Sequence, residues 1–293
     1  MSIVEKALSK LRTADRATVK PAPERNARSA VAPAARPVVP QTSAVPRANA
    51  SITLDHVRLR AMGLEPPTDG DVRRLNDELR RVKWALLKLG SNEPAANVLR
   101  NVLVISSALP GEGKSFTSFN LALSVATESD RRVWLIDSDT VRPHISQGLA
   151  IQDRPGFLDA IADPSAQLED VLIPTDLPGL SVIPSGRARA DAPELLGSAR
   201  TAQLLAAVQS AYPDVVIVID TAPILATSVP QALAPIAGLF VLAVKADATP
   251  VKAVREAISQ LHRTEGVALV LNQLTAFAGN HYYDGYYDPP DKT

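Results

Sequence analysis

The chain has 293 residues, 31 basic side chains balanced by 31 acidic ones, and no cysteine. A neutral total gives no global pull toward nucleic acid, and the missing thiols exclude disulfides, thiolate metal sites and cysteine catalysis. With 46% hydrophobic residues the length suits one large α/β domain plus appendages.

The start, MSIVEKALSKLR, carries charges throughout and lacks the apolar centre of a secretory leader. Residues 1–15 read as a short amphipathic helix, with Ser2 as its cap and Ile3, Val4, Ala7, Leu8 and Leu11 on one face. Residues 16–50 are rich in Pro, Ala and Arg; they bury too little apolar surface to offset their ordering entropy and are expected to be disordered. Residues 1–50 hold nine Lys/Arg against three Asp/Glu, a net +6 that the neutral total hides. Such an arm suits an anionic lipid or acidic partner, or serves as a plain solubilising tether.

The domain proper is expected over 51–276. Thr68–Leu89 reads as a helix, because Val72, Leu75, Leu79, Val82, Leu86 and Leu89 recur at spacings of three and four. Glu78 and Arg81 lie one turn apart beside that stripe, placed to face a neighbour. From Asn101 onward, apolar runs alternate with helical patterns. The runs are Val102–Ile105, Val133–Ile136, Leu180–Ile183, Val215–Ile219, Phe240–Val244 and Val267–Leu271. Helices are expected near Ser115–Ala126, Pro193–Ala211 and Pro250–His262. Continuous apolarity implies strands covered on both faces, hence a doubly wound, mostly parallel α/β sheet with ligands at the carboxyl ends of its strands. The uncharged stretch Thr221–Val244 contains Pro223, Pro230 and Pro235 and reads as a loop, a short helix and a buried strand rather than a membrane span. A soluble, cytoplasmic protein is expected.

Between the first run and the first of these helices stands SSALPGEGKS, Ser106–Ser115. A strand, a tight turn with Gly111 and Gly113, and a helix start aim backbone N–H groups at one point, which suits a phosphate chain. Pro110, Gly111, Glu112, Gly113, Lys114, Ser115 and Phe116 are therefore the candidate nucleotide-binding residues. Lys114 would reach the β/γ-phosphates and Ser115 would offer its hydroxyl to Mg²⁺. The commoner pattern opens with Gly where this chain has Ala108. Two other runs end in acid: Val133–Ile136 leads into Asp137-Ser138-Asp139, and Val215–Ile219 leads into Asp220. Singly, such aspartates are ordinary turn residues. Together with Lys114 and Ser115 they form a candidate metal–triphosphate site, with Ser115, Asp139 and Asp220 as metal ligands. Asn272, just past the last run, is a candidate for the adenine or for a turn role. His144, His262 and His281 show no ligand spacing.

PGEGKS followed by Asn120-Leu121-Ala122, then LIDSDTVRP (Leu135–Pro143) and VIVIDTAP (Val216–Pro223), resembles the Walker A, second Walker A (DxD) and Walker B boxes of the bacterial tyrosine autokinases. The resemblance runs from about Asp69 to the C-terminus. The N-terminal MSIVEKALSKL is similar to the exosortase-linked exopolysaccharide branch. The resemblance implies a P-loop fold of the partitioning-ATPase-like kind, use of ATP and Mg²⁺, and an ExxRxxR box for contacts within a ring of subunits. Glu78 and Arg81 match that box; Trp84 replaces its last Arg, with Lys83 a possible substitute, and Val141 stands at the usual Arg of the DxDxR box.

The resemblance also gives meaning to the tail, residues 277–293, where Tyr282, Tyr283, Tyr286 and Tyr287 lie in HYYDGYYD among Gly, Asp and Pro. These are the expected phosphoacceptors, phosphorylated between subunits. Lys114 and Asp220 would serve the phosphates and metal. Asp137, with Asp139 as the alternative, would take the tyrosine proton. A separate membrane chain-length regulator and a tyrosine phosphatase are the implied partners, holding a cytoplasmic protein at the inner membrane. A partitioning-type ATPase is the rival within the fold, but its early loop lysine is Leu109 here; an iron–sulfur scaffold lacks its cysteines. A non-catalytic, ATP-gated regulator of polysaccharide export is the third reading.

Overall fold

Every predicted apolar run forms a strand. The computed structural model describes residues 50–66, 75, 78–80, 82–83, 86, 98–128, 131–262 and 266–274. In chain order the elements are α1 (His56–Ala61), β1 (Leu99–Ser107), α2 (Lys114–Ala126), β2 (Arg132–Asp137), α3 (His144–Gly148), α4 (Phe157–Ala162), β3 (Ile173–Pro174) and β4 (Leu180–Ile183). There follow α5 (Ala192–Leu196), α6 (Ala199–Ala211), β5 (Val215–Asp220), α7 (Val229–Leu233), β6 (Ala237–Lys245), α8 (Val251–Gln260) and β7 (Val267–Asn272). The N-terminal arm, the tyrosine tail and Arg81 lie outside the described residues.

The strands make one seven-stranded sheet in the order β3-β4-β2-β5-β1-β6-β7. Its pairings are parallel except for the short β3 against β4. Alternation along β1 explains why the runs are apolar throughout. Val102 and Val104 enter one core with Leu204, Leu205 and Val208 of α6. Leu103 and Ile105 enter the other with Phe119, Leu121 and Val125 of α2. Each such side chain taken from water contributes roughly 1.5–3 kcal/mol, so polar residues are tolerated only where the strands end.

Two features depart from the expected elements and a third follows them. The helix expected over Pro193–Ala211 is two, α5 and α6, separated at Gly197 and Ser198, where Ser198 is extended (φ −74°, ψ 157°). The short α1, α3 and α4 and the two-residue β3 were not expected, because two to six residues are too few to show a period. Thr221–Val244 resolves into a loop, α7, a 3-10 turn and β6. No helix among the described residues is long and apolar enough to cross a membrane.

The segment before the first strand is fastened to the sheet. Leu59 and Leu64 are fully buried, and Ile52 N–H donates to Pro174 O at 2.9 Å. The Arg58 guanidinium donates to Gln147 O (2.7 Å) and Gly148 O (3.0 Å) at the end of α3, while Asn120 Nδ2 of α2 donates to Leu64 O at 2.7 Å. Leu75, Glu78, Leu79, Arg80, Val82, Lys83 and Leu86 are helical, in line with the predicted stripe. Lys83 corrects an expectation. Its ammonium is buried, pairing with Glu128 at 2.8 Å and donating to Ser124 O at 2.9 Å at the end of α2. It is spent inside its own subunit and does not replace the missing arginine of the ExxRxxR box.

At the opposite end of the sheet, the Arg132 guanidinium grips the Asp214 carboxylate with two bonds of 2.6 and 2.7 Å and lies 5.4 Å over the Tyr212 ring. The hydrogen bond from Arg132 holds the Asp214 pKa below its ordinary value. A lowered carboxylate pKa contributes stability above the unfolded value, lost as pH falls through the folded one. Asp214→Asn is therefore expected to cost about 1 kcal/mol at neutral pH, discounted for solvent screening, with the gap closing below about pH 3. Thermal melts of both proteins across that range test it; a pH-independent gap would contradict it.

Candidate active site

The parallel sheet brings the motif-bearing strand ends to one edge. β1, which leads into the phosphate-binding loop, pairs with β5, and β5 pairs with β2. In that register Ile105 faces Asp220, and Asp220 faces Asp137. Short bonds tie these ends together: Ser106 Oγ donates to Ala222 O (2.6 Å), Ser138 Oγ to Asp220 O (2.8 Å) and Thr221 N–H to Ile105 O (3.0 Å).

The loop turns on two glycines in the left-handed region, Gly111 (φ 83°) and Gly113 (φ 85°). Gly113 is the N-cap of α2, so the first amides of that helix lack intrahelical acceptors and remain available to an anion. The backbone angle at Gly113 demands glycine, and a Cβ there would displace the Asn272 carboxamide from the loop.

Lys114 is the hub of the charges. Its Nζ lies 2.8 Å from Asp139 Oδ2 and 3.7 Å from Asp220 Oδ2, and donates to Ser115 Oγ at 3.1 Å. Ser115 Oγ donates to Asp220 Oδ2 at 2.6 Å. Burial works against the ammonium, but Asp220, Asp139 and Asp137 outweigh it and hold the Lys114 pKa above its usual value. Asp220 is wholly buried, and burial raises its pKa despite the pull of Lys114 and the Ser115 hydroxyl. Asp137 is pushed up to about 7, by burial first and then by the Asp220 charge. Its Oδ2 accepts from Ser146 N–H and Oγ, both at 2.8 Å, and its Oδ1 accepts from Asp139 N–H at 3.1 Å. The Asp139 Oδ1 atom caps its own turn, accepting from Arg142 N–H at 2.9 Å, which leaves Oδ2 for Lys114.

Three similarities give this arrangement a lineage. EpsB of Ralstonia solanacearum, assigned by name to the tyrosine-protein kinases, is 33% identical over 221 residues, 75% of this chain and 28% of EpsB. The kinase domain of VpsO, a crystal structure, matches with a TM-score of 0.57 at 29% identity, covering 71% of this chain and 100% of that domain. In sequence and fold the chain is similar to the kinase domains of bacterial tyrosine kinases. Another relative is the succinoglycan biosynthesis transport protein ExoP of Rhizobium meliloti, 28% identical over 191 residues, 64% of this chain and 24% of ExoP. The chain thus spans 28% of EpsB and 24% of ExoP. No family model matches it.

At this sheet edge Lys114, Ser115, Asp139 and Asp220 come together, with Asp137 behind them. Asn272, expected to serve the adenine or a turn, is bonded to the phosphate loop. Its Nδ2 donates to Glu112 O at 3.0 Å and its Oδ1 accepts from Gln273 N–H at 2.9 Å, so its carboxamide is engaged with the loop. Glu78 is helical and exposed; Tyr282, Tyr283, Tyr286 and Tyr287 lie outside the described residues. Two supporting residues escaped the sequence reading. Ser118, one turn after Lys114, has its Oγ 3.0 Å from Asp220 Oδ1, a position its helical spacing could have given. Ser146 lies on the unexpected α3 and left no signal in the sequence.

Proposed function

We propose that the chain is an ATP-dependent protein-tyrosine autokinase that phosphorylates Tyr282, Tyr283, Tyr286 and Tyr287 of a neighbouring copy. The observation that carries this reading is Lys114 Nζ standing between Asp139 and Asp220, at 2.8 and 3.7 Å, beside the Ser115 hydroxyl. Phosphoryl transfer asks little of a protein beyond positioning and charge neutralisation, and this cluster is built for both.

The donor set suits Mg²⁺: Ser115, Asp139 and Asp220 offer oxygen alone, and among the described residues no group of three or more His, Cys, Asp or Glu forms a dedicated metal cage. That fits a cation taking few protein ligands and the rest from phosphate and water. When bound, it would neutralise phosphate charge. The residues of the chain do the rest. The amides of Gly111–Phe116, with Pro110 at the turn, hold the β- and γ-phosphates, and Lys114 follows the γ-phosphoryl. Asp137 takes the phenolic proton at Oδ1, its less occupied oxygen. The phenolate oxygen bonds to the γ-phosphorus as the bond to the bridging oxygen breaks, and ADP leaves. A carboxylate of raised proton affinity suits a hydroxyl whose own pKa is about 10.

Glu78 and Arg81 would join subunits into a ring, bringing one tail to the next site. The name carried by ExoP and the exosortase-linked resemblance of the N-terminus support a role in exopolysaccharide synthesis or export, with a membrane chain-length regulator as activator and a tyrosine phosphatase as antagonist. The full chain incubated with Mg-ATP is expected to gain phosphotyrosine at the tail, mapped by mass spectrometry. Mixed with an active chain truncated after residue 274, a Lys114→Met chain should acquire the phosphate in trans. An unmodified tail under both conditions would defeat the reading.

A further inference from the structure

We propose that Thr249 and Gln273 are positioning residues for the phosphate loop, completing with Glu112 and Asn272 a brace built from the ends of β6 and β7. The inference rests on the nucleotide-binding reading above and adds what sets the affinity of that site. Two loop carbonyls are held from the β7 side. Gly111 O accepts from Gln273 Nε2 at 3.2 Å, and Glu112 O accepts from Asn272 Nδ2 at 3.0 Å. No peptide among the described residues is cis, and in a trans peptide the N–H points opposite the carbonyl. The amides of Glu112 and Gly113 are therefore turned away from the Gln273 and Asn272 side chains that hold the carbonyls.

The loop is also held from beneath. The Glu112 side chain is buried, and its Oε2 accepts from Leu109 N–H at 2.8 Å. Its other oxygen accepts from the Thr249 hydroxyl, whose Oγ1 accepts in turn from Lys245 N–H at 3.1 Å, at the end of β6. One hydroxyl thus couples the loop to the sheet. Gln273 holds a left-handed backbone (φ 56°), a conformation costly for a residue with a side chain, and from it reaches Gly111. β6 and β7 are themselves locked in parallel, with Lys245 opposite Asn272 and Ala246 N–H donating to Asn272 O at 2.8 Å. A loop held by its carbonyls keeps its amides aimed, so phosphate meets them without reorganisation.

The test compares the full chain with its Thr249→Val, Thr249→Ser and Gln273→Ala variants, using a non-hydrolysable ATP analogue with Mg²⁺ in calorimetry, alongside autophosphorylation kinetics and thermal melts. Thr249→Val is expected to weaken nucleotide binding about tenfold, with KM for ATP rising in greater proportion than kcat falls. Thr249→Ser, which keeps the hydroxyl, should restore the affinity, and Gln273→Ala should weaken it about threefold, as loss of one neutral hydrogen bond does. A Thr249→Val protein with a lowered Tm but unchanged nucleotide affinity would reduce the contact to fold support and overturn the proposal, as would failure of the serine variant to rescue. A wild-type chain that binds no nucleotide would instead remove the kinase reading, and the brace with it.

Discussion

Lys114→Met is expected to lower phosphotyrosine formation at saturating Mg-ATP about a thousandfold, the scale seen when a preorganised charge at a transferring phosphoryl group is removed. The same substitution should leave a second, pH-dependent mark on stability. Lys114 answers the carboxylates of Asp139 and Asp220, and its pKa is raised. While those carboxylates are ionised, a raised lysine stabilises the fold below its unfolded pKa, and the effect is lost as pH rises through the higher folded value or as the acids protonate. Asp137 and Asp220 have raised values as well, burial being the first cause, so each costs stability increasingly as pH rises from about 4 toward its folded pKa. Methionine takes away the cation that draws both values down. The deficit against wild type should therefore be small near pH 4 and reach about 3 kcal/mol by pH 8, the scale for breaking a buried ion pair. Unfolding curves at several pH values measure it. A deficit flat across that range would mean that Lys114 does not govern the ionisation of these acids.

What the sequence discloses is chiefly what the sheet enforces. Burial on both faces leaves an unbroken apolar run, so each long strand is visible, and a carboxylate at the end of such a run has to lie at the sheet edge. Lys114, Ser115, Asp137, Asp139 and Asp220 were legible for this reason: parallel pairing delivers them to one place regardless of how the loops travel. The supporting residues are a different matter. Ser146 reaches Asp137 from a five-residue helix too short to show a period. Thr249 and Gln273 belong to loop ends, and polar residues there carry no pattern until the strands are in register. Asn272 was noticed by its place at a strand end, but place alone left open what its amide touches. Lys83 is ambiguous in sequence, because a lysine on a helix looks the same whether it faces a neighbour or, as here, the C-terminal carbonyls of α2.

Asp220→Asn should separate stability from function. The wild-type carboxylate is fully buried, and burial raises its pKa, so folding disfavours its ionised form relative to the unfolded chain. The surrounding hydroxyls show how an amide would be received. Ser118 Oγ has one hydrogen yet lies within bonding distance of two acceptors, Lys114 O at 2.9 Å and Asp220 Oδ1 at 3.0 Å. With asparagine at 220 that hydrogen can stay on Lys114 O, and the new amide can donate to the Ser118 oxygen. Lys114 keeps its closer partner, Asp139, at 2.8 Å. The variant is therefore expected to match or exceed wild-type stability at pH 8, by about 1 kcal/mol, with the advantage fading toward pH 4 as the native carboxylate protonates. Its phosphotransfer should nevertheless fall about a thousandfold, because the position has lost the negative charge proposed to hold the metal. Melting curves and phosphotyrosine assays on the same preparation decide the matter. An Asp220→Asn protein that is markedly less stable at pH 8 would show that the carboxylate is held for the fold. One that still transfers phosphate at the wild-type rate would show that the metal is held elsewhere.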